Sequence, residues 1–221
     1  MIDELIKYVG NNFGNPDGIG GIISTKIMNV INQKQYKAVL DNINLENKNV
    51  ILDIGFGNGY LIKKLLQKSN SIKIYGIEIS QDMLNSVSGK YDNFIKNAQL
   101  KLFLENINKT SFENETFDKI YTVNTIYFWN ELEKCYSEIK RILKPNGLFF
   151  NVIYTKEYLE KIIFSKYGFN KYTVEDIIKI TENNGMKILN VVIIKRNKSY
   201  CIISGKKADY NKTLGDIKIA I

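Results

Sequence analysis

Glycines at positions 55, 57 and 59 alternate with other residues directly after a short apolar run. The run, Val50–Ile54, contains one polar residue, Asp53, and is too short for a helix, so it predicts a buried parallel strand. A helix-like pattern follows, and glycines at such a strand-to-helix turn permit positive φ and let a ligand approach the backbone. The stretch therefore predicts a site where a flat, polar ligand lies across the turn.

Several nucleotide-binding folds place a glycine-rich turn here, and the neighbouring residues separate them. A phosphate-binding P-loop requires Gly-Lys-Ser/Thr, but Asn58, Gly59 and Tyr60 provide neither the lysine nor the Ser/Thr hydroxyl. A dinucleotide site favours G-x-G-x-x-G, whereas the third glycine comes one residue early and Tyr60 takes its place. The residue types exclude a P-loop, whereas the glycine spacing only disfavours a nicotinamide dinucleotide.

Four motifs together carry a family resemblance. Residues 50–59, VILDIGFGNG, closely resemble the first motif of class I S-adenosylmethionine-dependent methyltransferases of the type 11, small-molecule group. Residues 74–84 resemble that family's second strand, acidic ribose ligand and next helix, 113–118 the approach to its fourth strand, and 143–148 the turn before its fifth. The motifs occur in the expected order, and the resemblance spans roughly residues 48–205.

The resemblance implies an α/β fold. It implies a seven-stranded, mostly parallel Rossmann-like sheet with a C-terminal antiparallel hairpin and helices on both faces. Residues 1–45 are expected to form a helical N-terminal cover, and residues 46–221 one methyltransferase domain that binds S-adenosylmethionine.

The resemblance also implies which residues bind the cofactor. Glu78, at the end of the second strand, takes the place of the acid that binds both ribose hydroxyls, and Ile79 would lie against the adenine. Asn106 stands where the family usually has an Asp that holds the adenine amino group, which is a departure from the pattern. The full set of expected cofactor-binding residues is Asp53, Gly55, Phe56, Gly57, Gly59, Glu78, Ile79, Met83, Asn106, Ile107 and Asn124.

The acceptor is expected beyond the fourth strand, because ligands of open α/β sheets lie at the carboxyl ends of the strands. The segment 124–129 lacks the Asn/Asp-Pro-Pro-Tyr/Phe motif of amino-group DNA methyltransferases and a cytosine-C5-type catalytic cysteine. Tyr127 and Trp129 are candidate walls of the acceptor pocket, or ordinary packing under the next helix.

The aromatic span 158–172 either closes an apolar cavity or forms a satellite core. No catalytic residue is assigned; a base would be a carboxylate or a tyrosine.

Hydrophobic periodicity places the remaining elements. Strands are predicted at 72–78, 100–104, 117–123 and 148–154, helices at 131–143 and from Thr173 to Gly185, and a hairpin at 186–194 and 199–204. Ser80 is expected to cap the helix after the second strand. Before the first strand, the sequence predicts a short helix at 2–9, an irregular loop at 10–21 and an amphipathic helix at about 24–44.

Composition limits the other function classes. The chain has 221 residues, enough for one domain, no apolar run of membrane-spanning length and no signal-peptide pattern, so a cytoplasmic protein without a membrane partner is expected. Histidine is absent, which excludes a histidine base, and no metal site is predicted. Cys135 and Cys201 are expected to pack as small apolar residues.

The net charge of +8 raises the question of a nucleic-acid partner. Only two of the 31 basic residues are arginines and the lysines are dispersed, so nucleic acid is disfavoured. A small-molecule methyl acceptor is the leading interpretation. An rRNA, tRNA or protein acceptor on the same scaffold is the alternative, and it would require a contiguous lysine face beside the pocket. A nicotinamide-dependent oxidoreductase or a noncatalytic nucleotide-binding domain is the third.

Overall fold

A computed structural model describes residues 32–206 of the chain. The expected helix at 2–9, the loop at 10–21, the first part of the helix at 24–44 and the tail beyond residue 206 lie outside the described residues. Within the described range no helix is long and apolar enough to cross a membrane.

The described part of the chain forms a single seven-stranded sheet in the order β3-β2-β1-β4-β5-β7-β6. All pairs from β3 to β5 are parallel, whereas β7 runs antiparallel to both β5 and β6. The strands are β1 (Val50–Ile54), β2 (Lys73–Glu78), β3 (Leu100–Leu104), β4 (Phe117–Val123), β5 (Leu143–Tyr154), β6 (Met186–Lys195) and β7 (Ser199–Lys206). The predicted fold class, with its C-terminal antiparallel hairpin, is confirmed.

Seven α-helices and two 3-10 turns connect these strands within residues 32–206. The 3-10 turns are Ile126–Phe128 and Ile163–Lys166. The helices are α1 (Gln33–Asn42), α2 (Tyr60–Lys68), α3 (Gln81–Lys90), α4 (Asp92–Lys96), α5 (Leu132–Ile142), α6 (Lys156–Leu159) and α7 (Val174–Asn183).

Most predicted boundaries match because the local signals are strong. Ser80 caps α3, its Oγ accepting from the Met83 amide, and Thr173 forms a capping box with Asp176 at the start of α7. One boundary is different: β5 begins at Leu143 rather than at Leu148. Leu143 pairs with Phe117 before the register shifts, so the segment containing Pro145 joins the strand irregularly instead of forming a separate turn.

The sheet buries apolar side chains on both faces. On one face Leu52, Ile120 and Phe149 pack with α5 and α7; on the other, Ile51 and Phe150 pack with α1 and α2. Strands covered on both faces read as continuous apolar runs, which explains why β1 carries one polar residue, Asp53. That residue lies near the carboxyl end of β1, where the site is built.

Candidate functional site

The described residues enclose a pocket at the carboxyl ends of β1, β2 and β4. This is the side of an open parallel sheet where ligands bind. Of the thirteen residues predicted to bind the cofactor or the acceptor, ten lie in the wall of this pocket: Asp53, Gly55, Phe56, Gly57, Glu78, Ile79, Asn106, Ile107, Asn124 and Trp129.

Glu78, the last residue of β2, is held by three backbone amides. Its Oε1 accepts hydrogen bonds from the amides of Ile79 at 2.8 Å and Ser80 at 3.2 Å, and its Oε2 accepts from Gly57 at 3.0 Å. Burial raises the pKa of Glu78, while these amides lower it. The carboxylate is thus fixed at the turn, and Oε2, with a single amide on it, keeps acceptor capacity that faces the pocket.

The three turn glycines occupy different surroundings, although all have positive φ. A Cβ on Gly55 would lie 2.6 Å from the Thr125 side chain, and one on Gly59 would lie 2.7 Å from Tyr91. A Cβ on Gly57 would meet nothing within 4 Å. Gly55 and Gly59 therefore serve close packing, whereas Gly57 leaves open space beside Glu78.

Asp53 is the second buried carboxylate of the pocket. It lies directly opposite Tyr121 in the parallel pairing of β1 with β4, and the Tyr121 hydroxyl donates to Asp53 Oδ2 at 2.8 Å. Burial raises the pKa of Asp53 to about 8; the Tyr121 hydrogen bond opposes that shift and the charge of Glu78 adds to it. Two buried carboxylates that repel each other in one pocket favour a cationic ligand.

Two pocket residues that the sequence did not suggest come from the start of α1. Asn32 is buried, and its Oδ1 accepts from the Asn124 side-chain amide at 3.0 Å. Tyr36 lines the pocket and stacks on Tyr60 with ring centroids 5.0 Å apart. Burial raises the pKa of Tyr36 to about 12, the Asn32 hydrogen bond lowers it, and the Asp53 charge raises it. The available signal was the helical N-terminal cover expected over residues 1–45, which does not specify the residues that face the pocket.

Three predicted residues are not part of the pocket wall. Gly59 packs its backbone against Tyr91, as described above. Met83 is buried in α3, where its amide contributes to the Ser80 cap. Tyr127 is buried, with its hydroxyl 3.0 Å from Asn124 Oδ1 and 3.2 Å from the Tyr154 carbonyl. Tyr127 therefore takes the packing position, one of its two predicted interpretations, and ligand contacts of Gly59 and Met83 stay a prediction.

The rim of the pocket that follows β2 and β3 combines aliphatic side chains with a side-chain amide. Ile79 is 45% exposed beside Glu78, and Ile107 is buried below it in the wall. Asn106 is exposed, and its Oδ1 accepts from the Asn108 amide at 3.1 Å. Glu105 also lines the pocket, but its carboxylate accepts from Ser111. This rim offers an aliphatic surface and an amide to a planar ring.

The aromatic span after β5 lines no part of the pocket, and it is not a satellite core either: Tyr158, Phe169 and Tyr172 pack against the core on the α5 face of the sheet. Phe169 stacks on Tyr127 at 5.7 Å and meets Phe128 edge-on at 4.8 Å. Asn170 fixes the same contact, its amide donating to the Tyr127 carbonyl at 2.9 Å. The span supports Phe128 and Trp129, which line the pocket, from behind.

The charge of the pocket discriminates between ligands. Its wall contains the carboxylates of Asp53, Glu78 and Glu105, and none of its lining residues in the described range is lysine or arginine. A pyrophosphate is poorly served by such a wall, because anion sites use cations and free amides. No group of residues that could hold a metal ion occurs within 32–206. Cys135 and Cys201 are free and buried, as expected.

The sheet order, the glycine turn and the carboxylate at the end of β2 define a Rossmann-like nucleoside-binding domain. Residues 52–151 match the family model described as a methyltransferase domain. The chain is 27% identical over 126 residues to the uncharacterized methyltransferase YdaC of Bacillus subtilis. The aligned segment covers 57% of this chain and 67% of YdaC.

Two further similarities agree. The chain is 28% identical over 126 residues to the ubiquinone/menaquinone biosynthesis C-methyltransferase UbiE of Rickettsia prowazekii, covering 54% of this chain and 51% of that protein. The fold matches a S-adenosylmethionine-dependent methyltransferase from Aquifex aeolicus with a TM-score of 0.64 and 21% identity, over 76% of this chain and 88% of that one. The matched segments therefore span about half to two thirds of these two curated relatives.

The matched segment, residues 52–151, is thus a methyltransferase domain of the class I, Rossmann-like type, whose cofactor is S-adenosylmethionine.

Proposed function

We propose that the protein transfers the methyl group of S-adenosylmethionine to a small-molecule acceptor by in-line displacement. The observation that carries this proposal is the charge of the pocket: two buried carboxylates, Asp53 and Glu78, and no lysine or arginine among its described lining residues. The cofactor carries a sulfonium and an ammonium group, so this wall complements it. Glu78 alone would also suit the ribose of NAD; Asp53 is the residue that disfavours the nicotinamide alternative, because it would repel a pyrophosphate.

Glu78 is the proposed ribose ligand. Its carboxylate is oriented by three backbone amides before any ligand arrives, so little freedom is lost when a hydroxyl binds to Oε2. Ile79 and Ile107 then provide the apolar surface for the adenine, and Asn106 the polar contact at its edge. The second lone pair of Asn106 Oδ1 is the proposed acceptor for the adenine amino group.

The methionine part is assigned to the floor of the pocket. Asp53 lines the same pocket and is its second buried carboxylate, so it is the proposed partner of the ammonium group. The cofactor supplies an electrophilic methyl carbon on its sulfonium. The chain's own contribution is to orient an acceptor whose electron pair forms the new bond while the carbon–sulfur bond breaks.

The acceptor is assigned to the β4 side of the pocket, where Phe128, Trp129, Asn124 and Tyr36 line the wall. This wall is largely aromatic with one amide and one hydroxyl, which suits a small, mostly apolar molecule. The name of UbiE, a relative assigned to quinone biosynthesis, supports the same acceptor class. Tyr36, with its pKa raised to about 12, is suited to donate a hydrogen bond rather than to act as a base at neutral pH.

Calorimetry tests the cofactor assignment. S-adenosylmethionine and S-adenosylhomocysteine are expected to bind, whereas NAD is not. Glu78→Ala and Glu78→Gln should each lower the affinity about 100-fold or more, because hydrogen bonds to a charged group contribute about 1.5–3 kcal/mol each. Glu157→Ala, an exposed carboxylate on α6, is the control and should bind as the parent does. Unchanged binding by both folded Glu78 variants would remove the ribose assignment.

The acceptor class has a separate test. The protein is incubated with methyl-labelled cofactor and a metabolite extract, and the label is then fractionated by size. Label in small molecules is expected. Label that appears only in RNA or protein would overturn the small-molecule assignment and favour the alternative acceptors.

A further inference from the structure

The large apolar side chains that stay exposed in the described range lie toward one end of the molecule. Ile79 and Leu104 end or follow β2 and β3, and Ile163 and Phe164 follow β5. Ile193 is near the end of β6, which runs parallel to β5 because both are antiparallel to β7. All five are therefore at the carboxyl edge of the sheet, the edge that carries the pocket.

Two of these exposed side chains, one aliphatic and one aromatic, are adjacent in sequence. Ile163 is 57% exposed and Phe164 39% exposed, and they are neighbours in the 3-10 turn between β5 and α7. Ser165 behind them is buried, and its hydroxyl donates to the Ile162 carbonyl at 2.9 Å. The turn is thus fixed by the hydrogen bond of Ser165, while the side chains of Ile163 and Phe164 remain partly exposed. We call Ile163 and Phe164 the apolar tip.

The segment that carries the apolar tip, and the β6–β7 turn beside that segment, are rich in cationic side chains. Residues 155–171 and the β6–β7 turn at 195–198 together contain seven lysine or arginine side chains and two glutamates. The two segments are adjacent, since the Thr155 amide donates to the Lys198 carbonyl at 2.9 Å and Lys198 Nζ lies 4.2 Å from the centre of the Tyr158 ring. Lys161 and Lys166, which flank the tip, are both exposed.

This surface is joined directly to the acceptor side of the pocket. The side-chain amide of Asn170 donates to the Trp129 carbonyl at 3.2 Å, and Phe169 packs on Phe128. Phe128 and Trp129 both line the pocket. The segment that carries the apolar tip is thus attached to the acceptor wall through Phe169 and Asn170.

We propose that the apolar tip and its lysines dock on an anionic phospholipid bilayer and present the acceptor wall to a substrate dissolved in that bilayer. The proposal deepens the small-molecule methyl transfer proposed above and rests on it for the identity of the substrate. Apolar side chains that insert among headgroups, ringed by lysines that face anionic lipids, are the features of an interfacial binding surface.

The composition of the surface favours a bilayer over RNA. Exposed isoleucines such as Ile163 and Ile193 offer nothing to a base or a phosphate, and the surface holds one arginine, Arg196, in seven cations. The sequence-based expectation of no membrane partner rested on the absence of a spanning segment. Surface docking does not require one.

Co-sedimentation of the full chain with vesicles tests the proposal. Vesicles of phosphatidylcholine alone are compared with vesicles containing about 30 mol% phosphatidylglycerol. The parent is expected to bind the anionic vesicles about tenfold or more better than the neutral ones. Ile163→Ser with Phe164→Ser, and separately Lys161→Gln with Lys166→Gln, should each weaken that binding about tenfold.

The matched control removes two lysines from the opposite edge of the sheet, Lys73→Gln with Lys187→Gln, both exposed. It should bind vesicles as the parent does. Equal loss in the control and in Lys161→Gln with Lys166→Gln, no preference for anionic vesicles, or displacement of the vesicles by single-stranded RNA would each overturn the proposal. Circular dichroism checks folding, and the lysine pair remains a test if the apolar pair fails to fold.

Calorimetry with S-adenosylmethionine on every variant separates the two proposals. All surface variants are expected to keep cofactor affinity, because none of them lines the pocket. Vesicle binding without cofactor binding would refute the methyltransfer assignment and leave docking in place, whereas cofactor binding without vesicle binding would refute docking alone.

Discussion

At the scale of single residues, the three glycines of the first turn have different structural roles. Gly55 makes room for Thr125 and Gly59 for Tyr91, so either would clash if given a side chain. Gly57 has no such neighbour, and its amide is bonded to Glu78. Its lack of a side chain matters for the ligand and for its left-handed backbone, with φ of 51°.

We therefore expect Gly57→Ala to impair ligand binding more than folding. The left-handed conformation should cost about 1–2 kcal/mol of unfolding free energy, and the added methyl group projects into open space next to Glu78. Affinity for S-adenosylhomocysteine, measured by calorimetry, should fall about tenfold or more.

The control for this change is Gly89→Ala, in α3, where a Cβ also meets nothing and φ is not in the left-handed region. It should leave affinity unchanged and increase stability by up to about 1 kcal/mol. Parent-like cofactor affinity in Gly57→Ala would mean that no ligand passes over this part of the turn.

At the scale of elements, buried polar bonds join α1 to the ends of β4 and β5. Asn32, just before α1, is bonded to Asn124, and Asn124 to the Tyr127 hydroxyl, which also meets the backbone of Tyr154. Burial raises the pKa of Tyr127 well above its ordinary value, so its hydroxyl stays protonated. The chain of bonds holds Tyr36 of α1 over the pocket.

Tyr127→Phe tests this connection. It should lower the unfolding free energy by about 1–3 kcal/mol, because buried groups that bonded to the hydroxyl lose their partner. Urea unfolding measures the loss, and hydrogen exchange should increase in α1. Tyr200→Phe, which removes a hydroxyl bonded to the exposed Asn197 amide, is the control and should cost little.

Acceptor kinetics of the same variant decide between the two sequence-based interpretations of Tyr127. A supporting role predicts a small change in cofactor affinity and in the acceptor KM. A large rise in acceptor KM without loss of stability would place the Tyr127 ring against the acceptor instead.

At the scale of the whole molecule, an acidic pocket is set in a chain of net charge +8. Asp53 and Glu78 both have raised pKa values in the folded state, chiefly through burial. Between the ordinary pKa of an aspartate and the value of about 8 for Asp53, the folded protein binds more protons than the unfolded chain. Stability that protonated Asp53 contributes is therefore present at low pH and lost as pH rises through about 8.

Asp53→Asn should make this dependence shallower in the ligand-free protein. Each proton of difference corresponds to about 1.4 kcal/mol per pH unit, so the variant should gain stability over the parent as pH rises from about 5 to 8. Thermal or urea unfolding across this range measures the difference. Identical pH profiles of variant and parent would show that Asp53 ionises as readily when folded as when unfolded.

The sequence by itself determined nearly all strand and helix boundaries and the place of Glu78, and the resemblance of its motifs to a known family supplied the fold class. The boundaries depend on local signals: apolar runs such as Val50–Ile54, the cap at Ser80, and the glycines at the first turn. Such signals lie within a few residues of one another, so they can be read without knowing how the chain folds.

Only the tertiary structure decided which residues share the pocket. It brought Tyr36 in from α1, paired Asp53 with Tyr121 across two strands, and placed Gly59, Met83 and Tyr127 behind the wall. The reason is that strand order and helix packing fix these contacts between residues far apart in the chain, whereas periodicity specifies only which face of an element is buried.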